Sequence, residues 1–206
     1  MGEELVSDRE LTWCSAAELS KAELACAARW IRSMDSDYYE IFSQDPSQLD
    51  EVISRLQMSA ESEFGPTQFV RRAGKLAGFV TYFLASEIFP RRIFVLKALL
   101  AASADLPAAK RKLQAFNGPK FVVAGDALYL SKIFVCPPAR RTGLSTVLFN
   151  RFVGHGVLGQ RVALHVRRDN VAALYLYEKN GFIRSGEQDG SAYFLMEKVL
   201  QEGLAS

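Results

Sequence analysis

The sharpest chemical signal in the sequence is the run Val135-Cys136-Pro137-Pro138-Ala139-Arg140-Arg141-Thr142-Gly143-Leu144-Ser145, set between a predicted strand and a predicted helix. A phosphate needs several donors converging on its oxygens, and the unpartnered amides of a helix start supply them together with a favourable dipole. Gly143 lets the backbone approach a ligand closely, and Arg140 can add charge and hydrogen bonds to a further phosphate oxygen. The proline pair holds the approach to the turn extended. The same residues also fit an ordinary strand-to-helix connection, since one glycine beside two arginines is a common combination. The run lacks the glycine spacing and terminal lysine of a P-loop and the three glycines of a dinucleotide fold, which disfavours both.

The elements that must position this loop are readable from periodicity. Leu11 to Cys14 suits a short opening strand. Ser20 and Glu23 have the spacing of a reciprocal cap, and Leu24, Ala28 and Ile31 recur at helical intervals, which predicts a helix from about Ser20 to Met34. Asp45-Pro46 opens a second helix whose stripe is Leu49, Val52, Ile53 and Leu56, ending before Gly65-Pro66. Gln68 to Arg72 and Leu76 to Ala85 are rich in strand formers, and Ala73-Gly74-Lys75 suits the hairpin between them. Further on, Ala127 to Val135, the helical spacing of Leu144, Val147, Leu148 and Phe152, Arg161 to Val166 and Val171 to Lys179 alternate strand with helix. Phe182 to Ser185 and Ala192 to Val199 suit two last strands around a polar Gly186 to Ser191 turn, and the tail after Leu200 is expected to fray. That order favours one α/β domain over residues 1–206, with a mixed, mostly antiparallel central sheet flanked by helices.

Between Pro90 and Lys120 the composition changes: Arg91, Arg92, Lys97, Lys110, Arg111, Lys112 and Lys120 stand against the single acid Asp105. Helices are predicted at Ile93 to Ala102 and Pro107 to Phe116, closed by Asn117-Gly118-Pro119. This basic, helical stretch is too short for a core of its own and reads as an insertion. It fits a lid over a substrate site, a dimer contact through the Ile93 to Leu100 face, or a run whose basic residues simply face solvent.

With 206 residues, 49% apolar and 23% charged, the chain can build one sizeable core. The beginning of the chain lacks the basic start and apolar core of a secretory signal, and Cys14, Cys26 and Cys136 form no CxxC pair, so neither a disulfide scaffold nor a zinc site is expected, and a reducing cytoplasm suits them. No metal is expected. A net charge of +2 gives no reason to expect nucleic acid, and no apolar run approaches the roughly 20 residues of a membrane-spanning helix.

Arg140-Arg141-Thr142-Gly143-Leu144-Ser145 resembles the Gln/Arg-x-x-Gly-x-Gly/Ala motif of the GNAT acetyltransferase superfamily. Downstream, Asn170-Val171-Ala172-Ala173-Leu174-Tyr175-Leu176-Tyr177-Glu178-Lys179-Asn180-Gly181-Phe182 is similar to that superfamily's Asn-x-x-Ala-x-x-Leu-Tyr-x-x-x-Gly-Phe signature. The matches cover Leu128 through Phe182, with looser topological agreement over Leu11 to Ser86. Arg141 stands where glycine is common and Ser145 where glycine or alanine is usual.

The resemblance implies acyl-CoA as cosubstrate, acetyl-CoA or another, with its pyrophosphate and pantetheine wrapped by Arg140, Arg141, Thr142, Gly143, Leu144 and Ser145. It implies an acyl-pantetheine arm beside Ile133, Phe134 and Val135, where the fourth and fifth strands splay, and Asn170 as helix cap or ligand-orienting amide. Tyr177 is implied as the acid for the departing sulfur, ahead of Tyr175, which faces another side of the helix. The implied reaction is direct transfer, in a ternary complex, to the amine of a small molecule or a protein. A noncatalytic acyl-CoA sensor and an interaction module on the same fold are the alternatives, and a homodimer is possible. No base is assignable: the fourth strand carries Tyr129-Leu130-Ser131-Lys132, leaving Glu87, His165 or water. His165 also suits a structural role, His155 a capping one, and Cys136 inert packing.

Overall fold

The computed structural model describes residues 11–119, 122–186 and 191–201. Lys120, most of the turn expected between Gly186 and Ser191, and the tail beyond 201 lie outside the described residues.

The elements in chain order are β1 (Leu11–Cys14), α1 (Lys21–Ser33), α2 (Ser36–Tyr39), α3 (Pro46–Gln57), β2 (Thr67–Arg72), β3 (Lys75–Leu84), α4 (Ile88–Ala102), α5 (Leu106–Ala115), β4 (Leu128–Val135), α6 (Leu144–Val153), β5 (Arg161–Arg167), α7 (Val171–Lys179), β6 (Ile183–Gly186) and β7 (Tyr193–Val199). The local reasons are those read from the sequence. Ser20 and Glu23 close a reciprocal cap on α1, Asp45 accepts from Ser47 N at the start of α3, and Asn170 accepts from Ala173 N at the start of α7.

Two elements differ from expectation. The β2–β3 connection has two residues rather than three, because Ala73 and Gly74 both adopt positive φ, 48° and 75°, the geometry of a tight hairpin turn. Helix α4 starts at Ile88, five residues earlier than its apolar run suggested. Pro90 falls in its first turn, where a missing N–H costs nothing.

The seven strands follow the order β1-β2-β3-β4-β5-β7-β6, and every neighbouring pair is antiparallel except β4 with β5. One face of the sheet packs on α6 and α7 through Leu148, Phe149, Phe152, Leu174 and Tyr177. The other carries α1, α3 and α4 through Ala28, Ile31, Ile53, Val95 and Leu99. Burial of such side chains is worth roughly 1.5–3 kcal/mol each and is what holds the helices to the sheet. The insertion is therefore part of the second core: Val95 and Leu99 face inward, so the Ile93 to Leu100 stretch is not free as a whole to contact another chain, while Phe89 stays exposed. Arg91 and Arg92 also turn inward, unlike the exposed Lys110, Arg111 and Lys112. Arg91 donates to Glu87 and to the carbonyls of Ala60 and Ser62.

The feature that creates room in this sheet is the β4–β5 pair. Only Leu128↔Val162, Tyr129↔Ala163 and Leu130↔Leu164 are in register; beyond them the two strands part. A register shift against β3 between Thr81 and Tyr82 leaves Ser131 as the extra residue of β4 at the parting point. Cys136 N–H donates to Ala77 O, so strand alternation turns the backbone groups of Ile133 and Val135 away from β3 and into the gap.

Candidate active site

The loop after β4 enters α6 through Gly143, whose φ of 81° is left-handed. Arg141 is also left-handed at φ 60°, at the position where the resembled motif commonly has glycine. Thr142 Oγ1 donates to Ala139 O at 2.8 Å and braces the turn. Among the described residues, no carbonyl or side chain accepts from the amides of Arg141 to Ser145. Five consecutive unpartnered donors at a helix start are what an anionic group requires. Arg140 leans over the same opening, its Nε 3.3 Å from Val135 O.

These residues front a cleft of about 530 Å³ lined by Ile133, Phe134, Val135, Arg140, Ser145, Thr146 and one side of α7, including Tyr177. Of the residues expected at the cofactor, Ile133, Phe134, Val135, Arg140, Ser145 and Tyr177 come together here. Arg141, Thr142 and Gly143 form the turn behind the lining, and Leu144 points into the core at 1% exposure. Asn170 stands apart, capping α7 and lining a different cavity.

Tyr177 is 5% exposed and Tyr175 68%, yet both line the cleft, so Tyr175 is not turned away from it as its place on the helix suggested. The Tyr177 ring packs against Phe149 and Phe182, with centroids 6.1 and 6.0 Å away. Burial pushes its phenol well above the ordinary value, so it keeps its proton throughout the neutral range. Among the described residues its hydroxyl has no protein hydrogen-bond partner, which leaves the proton available to a ligand atom.

A second cavity, of about 180 Å³, shares Ile133 and Tyr177 with the cleft and reaches Asp35, Ser131, Lys132, His165, Asn170 and Tyr193. A third, of about 250 Å³, shares Asp35, Ser131, Lys132, His165 and Tyr193 with the second. It ends against Arg92, Val95, Phe116 and Pro119 of the insertion. The three adjoin in line, from the loop before α6, past the β4–β5 parting, to the inner wall made by α4 and the end of α5.

Charges in this inner end are buried and arranged. Glu63 accepts from Ser131 Oγ at 2.5 Å and lies 3.5 Å from Arg92 Nε and 3.9 Å from Lys132 Nζ. Burial raises its pKa, but Lys132, Arg92 and the serine together outweigh that and hold the carboxyl below the ordinary range. Arg92 also donates to Tyr129 OH at 2.9 Å, and that oxygen is 3.1 Å from His165 Nδ1. An arginine can only donate, so Arg92 occupies one lone pair of the Tyr129 oxygen, and that oxygen meets Nδ1 either by giving its own proton or by accepting one through its second lone pair.

Asp35, between α1 and α2, differs from Glu63. Its Oδ1 is buried without a hydrogen-bond partner, and burial raises its carboxyl pKa against the partial opposition of Lys132 and Arg167. Tyr193 is pushed up to about 12 by burial and then by the Asp35 carboxylate. Glu87 is held by Arg91 and lines none of the three cavities. His155 caps α6 through Arg151 O, and Cys136 is buried in the core. Asp35, Glu63 and Tyr193 escaped sequence reasoning, because no motif marks them and only the fold brings them together.

Among the described residues there is no cluster of metal-binding side chains and no helix long and apolar enough to cross a membrane. Residues 27–182 match the acetyltransferase (GNAT) family. No curated protein matches the chain. Among solved structures, an acetyltransferase superposes with a TM-score of 0.64 at 18% identity, covering 92% of this chain and 100% of the other. An N-acetyltransferase from Staphylococcus aureus Mu50 gives 0.61 at 17%, covering 85% and 94%. The PaiA N-acetyltransferase from Thermoplasma acidophilum, in complex with coenzyme A, gives 0.50 at 17%, covering 92% and 98%. At these identities the likeness is one of fold.

Proposed function

Because the chain belongs to the acetyltransferase (GNAT) family, we propose that it moves an acetyl or short acyl group from coenzyme A to a primary amine by direct transfer within a ternary complex. One observation carries this reading: the cleft before α6 shares Ile133 and Tyr177 with the small middle cavity, which in turn shares Asp35, Ser131, Lys132, His165 and Tyr193 with the cavity under α4, so a thioester held on one side can face an amine held on the other.

In this reading the amides of Arg141 to Ser145 and the Arg140 guanidinium hold the diphosphate. The inward-turned backbone of Ile133 and Val135 aligns the pantetheine arm, and one of those amides donates to the thioester oxygen as charge develops there. The amine nitrogen attacks the carbonyl carbon, the carbon–sulfur bond breaks, and Tyr177 passes its proton to the departing sulfur, regaining one from the nitrogen. No nucleophilic cysteine is required, and Cys136 is packed away in the core.

The test is incubation of the protein with acetyl-CoA and a panel of primary amines, reading free thiol and product mass. Thiol release matched by an acetylated amine is expected. Binding of acetyl-CoA without any acetylated product from alkyl, aryl, amino-acid or peptide amines would defeat the transfer reading.

A further inference from the structure

We propose that the inner cavity is the seat of a compact primary monoamine with an apolar or aromatic body, and that its ammonium docks on Asp35, which takes the first proton. This deepens the transfer reading and rests on it.

Asp35 supplies the anchor. Among the described residues the Asp35 carboxylate makes no hydrogen bond and no ion pair, so the group at the cavity wall is left for a ligand N–H to satisfy. Asp35 lines both inner cavities, and Tyr177 lines the smaller of them, so an amine on Asp35 stands on the path to the thioester. The remaining charge in the inner end is already matched: Glu63 is held by Arg92, Lys132 and Ser131. A second ammonium, as in a polyamine, would find no uncommitted carboxylate beside it. The other walls are rings and apolar groups, Tyr38, Tyr129, Phe116 and Val95. A volume of about 250 Å³ admits roughly eight to ten non-hydrogen atoms at about 25–30 Å³ each. Arg92 and Val95 of α4 and Phe116 and Pro119 after α5 line the far side.

The proton count balances. The bound ammonium gives one proton to Asp35 and attacks as the free amine; the carbon–nitrogen bond forms as the carbon–sulfur bond breaks. The nitrogen's next proton reaches sulfur through Tyr177, and the Asp35 proton leaves to solvent, giving an amide, a thiol and one released proton. Around Asp35 the charged and titratable groups are Lys132 on β4, Arg167 on β5, Glu63 before β2, Asp37 on α2 and Tyr193 on β7. His165 meets Tyr129 through Nδ1 at 3.1 Å.

The experiment uses the full chain with benzylamine as probe, and spermidine and a tetrapeptide as comparisons. Benzylamine binding by calorimetry and its acetylation are measured for wild type and Asp35→Asn, with acetyl-CoA affinity as the internal control. Expected are acetyl-CoA affinity within twofold of wild type, at least a tenfold loss of benzylamine affinity, a kcat/KM loss of 100-fold or more, and a melting temperature unchanged or higher, because a buried charge has been removed. Wild-type benzylamine affinity should also fall as the pH drops through the Asp35 titration, a readout that needs no variant. Equal benzylamine binding and turnover in Asp35→Asn would overturn the role of Asp35, and acetylation of spermidine or the tetrapeptide in preference to benzylamine would overturn the substrate class. If nothing is acetylated but benzylamine still binds in an Asp35-dependent way, the transfer reading fails while the amine site stands; no benzylamine binding by wild type sinks the site itself.

Discussion

Replacing Gly143 by alanine separates the mechanical cost of the loop from its chemical role. Gly143 sits at φ 81°, and a Cβ built there meets no atom within 4 Å, so the substitution adds backbone strain and no collision. The left-handed conformation costs a non-glycine residue roughly 1–2 kcal/mol, and the stiffer unfolded chain returns about 0.4–1 kcal/mol of it. The net loss is about 1 kcal/mol, which for a chain of this length lowers the melting temperature by about 2–4 °C. Acyl-CoA binding should suffer more. If the turn relaxes enough to misaim one charge-assisted amide contact, about 1.5–3 kcal/mol is lost, a tenfold or greater rise in Kd. Calorimetry with acetyl-CoA beside thermal melts of both proteins makes the comparison. A melting temperature lowered as calculated with an unchanged acetyl-CoA affinity would refute the assignment of the diphosphate to this turn, and a drop beyond about 10 °C would refute the strain argument.

Tyr177→Phe should keep acetyl-CoA affinity within a few-fold and lose turnover by about 100-fold under chemistry-limited conditions, as removal of a general acid does; near-normal single-turnover rates would exclude the role. Glu63→Gln leaves the half-buried Arg92 and Lys132 beside a neutral amide and should cost about 1.5–3 kcal/mol at neutral pH, read by urea denaturation. Since the folded-state pKa of Glu63 lies below its unfolded value, the wild-type contribution is present above the ordinary carboxylate range and is lost as pH falls through the lowered value. The gap between wild type and variant should therefore narrow in acid. Gly78→Ala puts a Cβ 2.5 Å from Phe134 O, so β3 and β4 must move apart, and a loss of about 2 kcal/mol or more is expected together with weaker acetyl-CoA binding beside Phe134.

The parts of the molecule legible in the sequence are those governed by neighbours in the chain. Ser20 with Glu23, Asp45 with Pro46 and Asn170 with Ala173 fix helix starts through contacts three residues apart or fewer, and the two motifs around Gly143 and Tyr177 locate the cleft. The start of α4 is set too late because its apolar run begins at Ile93, whereas Pro90 sits in the first turn, where a proline is tolerated. The inner site was illegible for a different reason. Ser131 and Glu63 are 68 residues apart, Arg92 and Tyr129 37, and Tyr129 and His165 36, so nothing local records their meeting. The insertion, ambiguous by composition, acquires a position only when Val95 and Leu99 dock into the second core and carry Arg92 inward with them.

The parting of β4 from β5 has a consequence for solubility. Backbone groups left unsatisfied at the outer border of a sheet invite other chains to add a strand and seed aggregation. Here the vacant row of Ile133 and Val135 lies mid-sheet, flanked by β3 on one side and overhung by α7 on the other. A strand adding there would have to enter between β3 and α7 rather than along a free edge. The unpaired backbone thus sits inside the sheet instead of along its border, where strand addition begins.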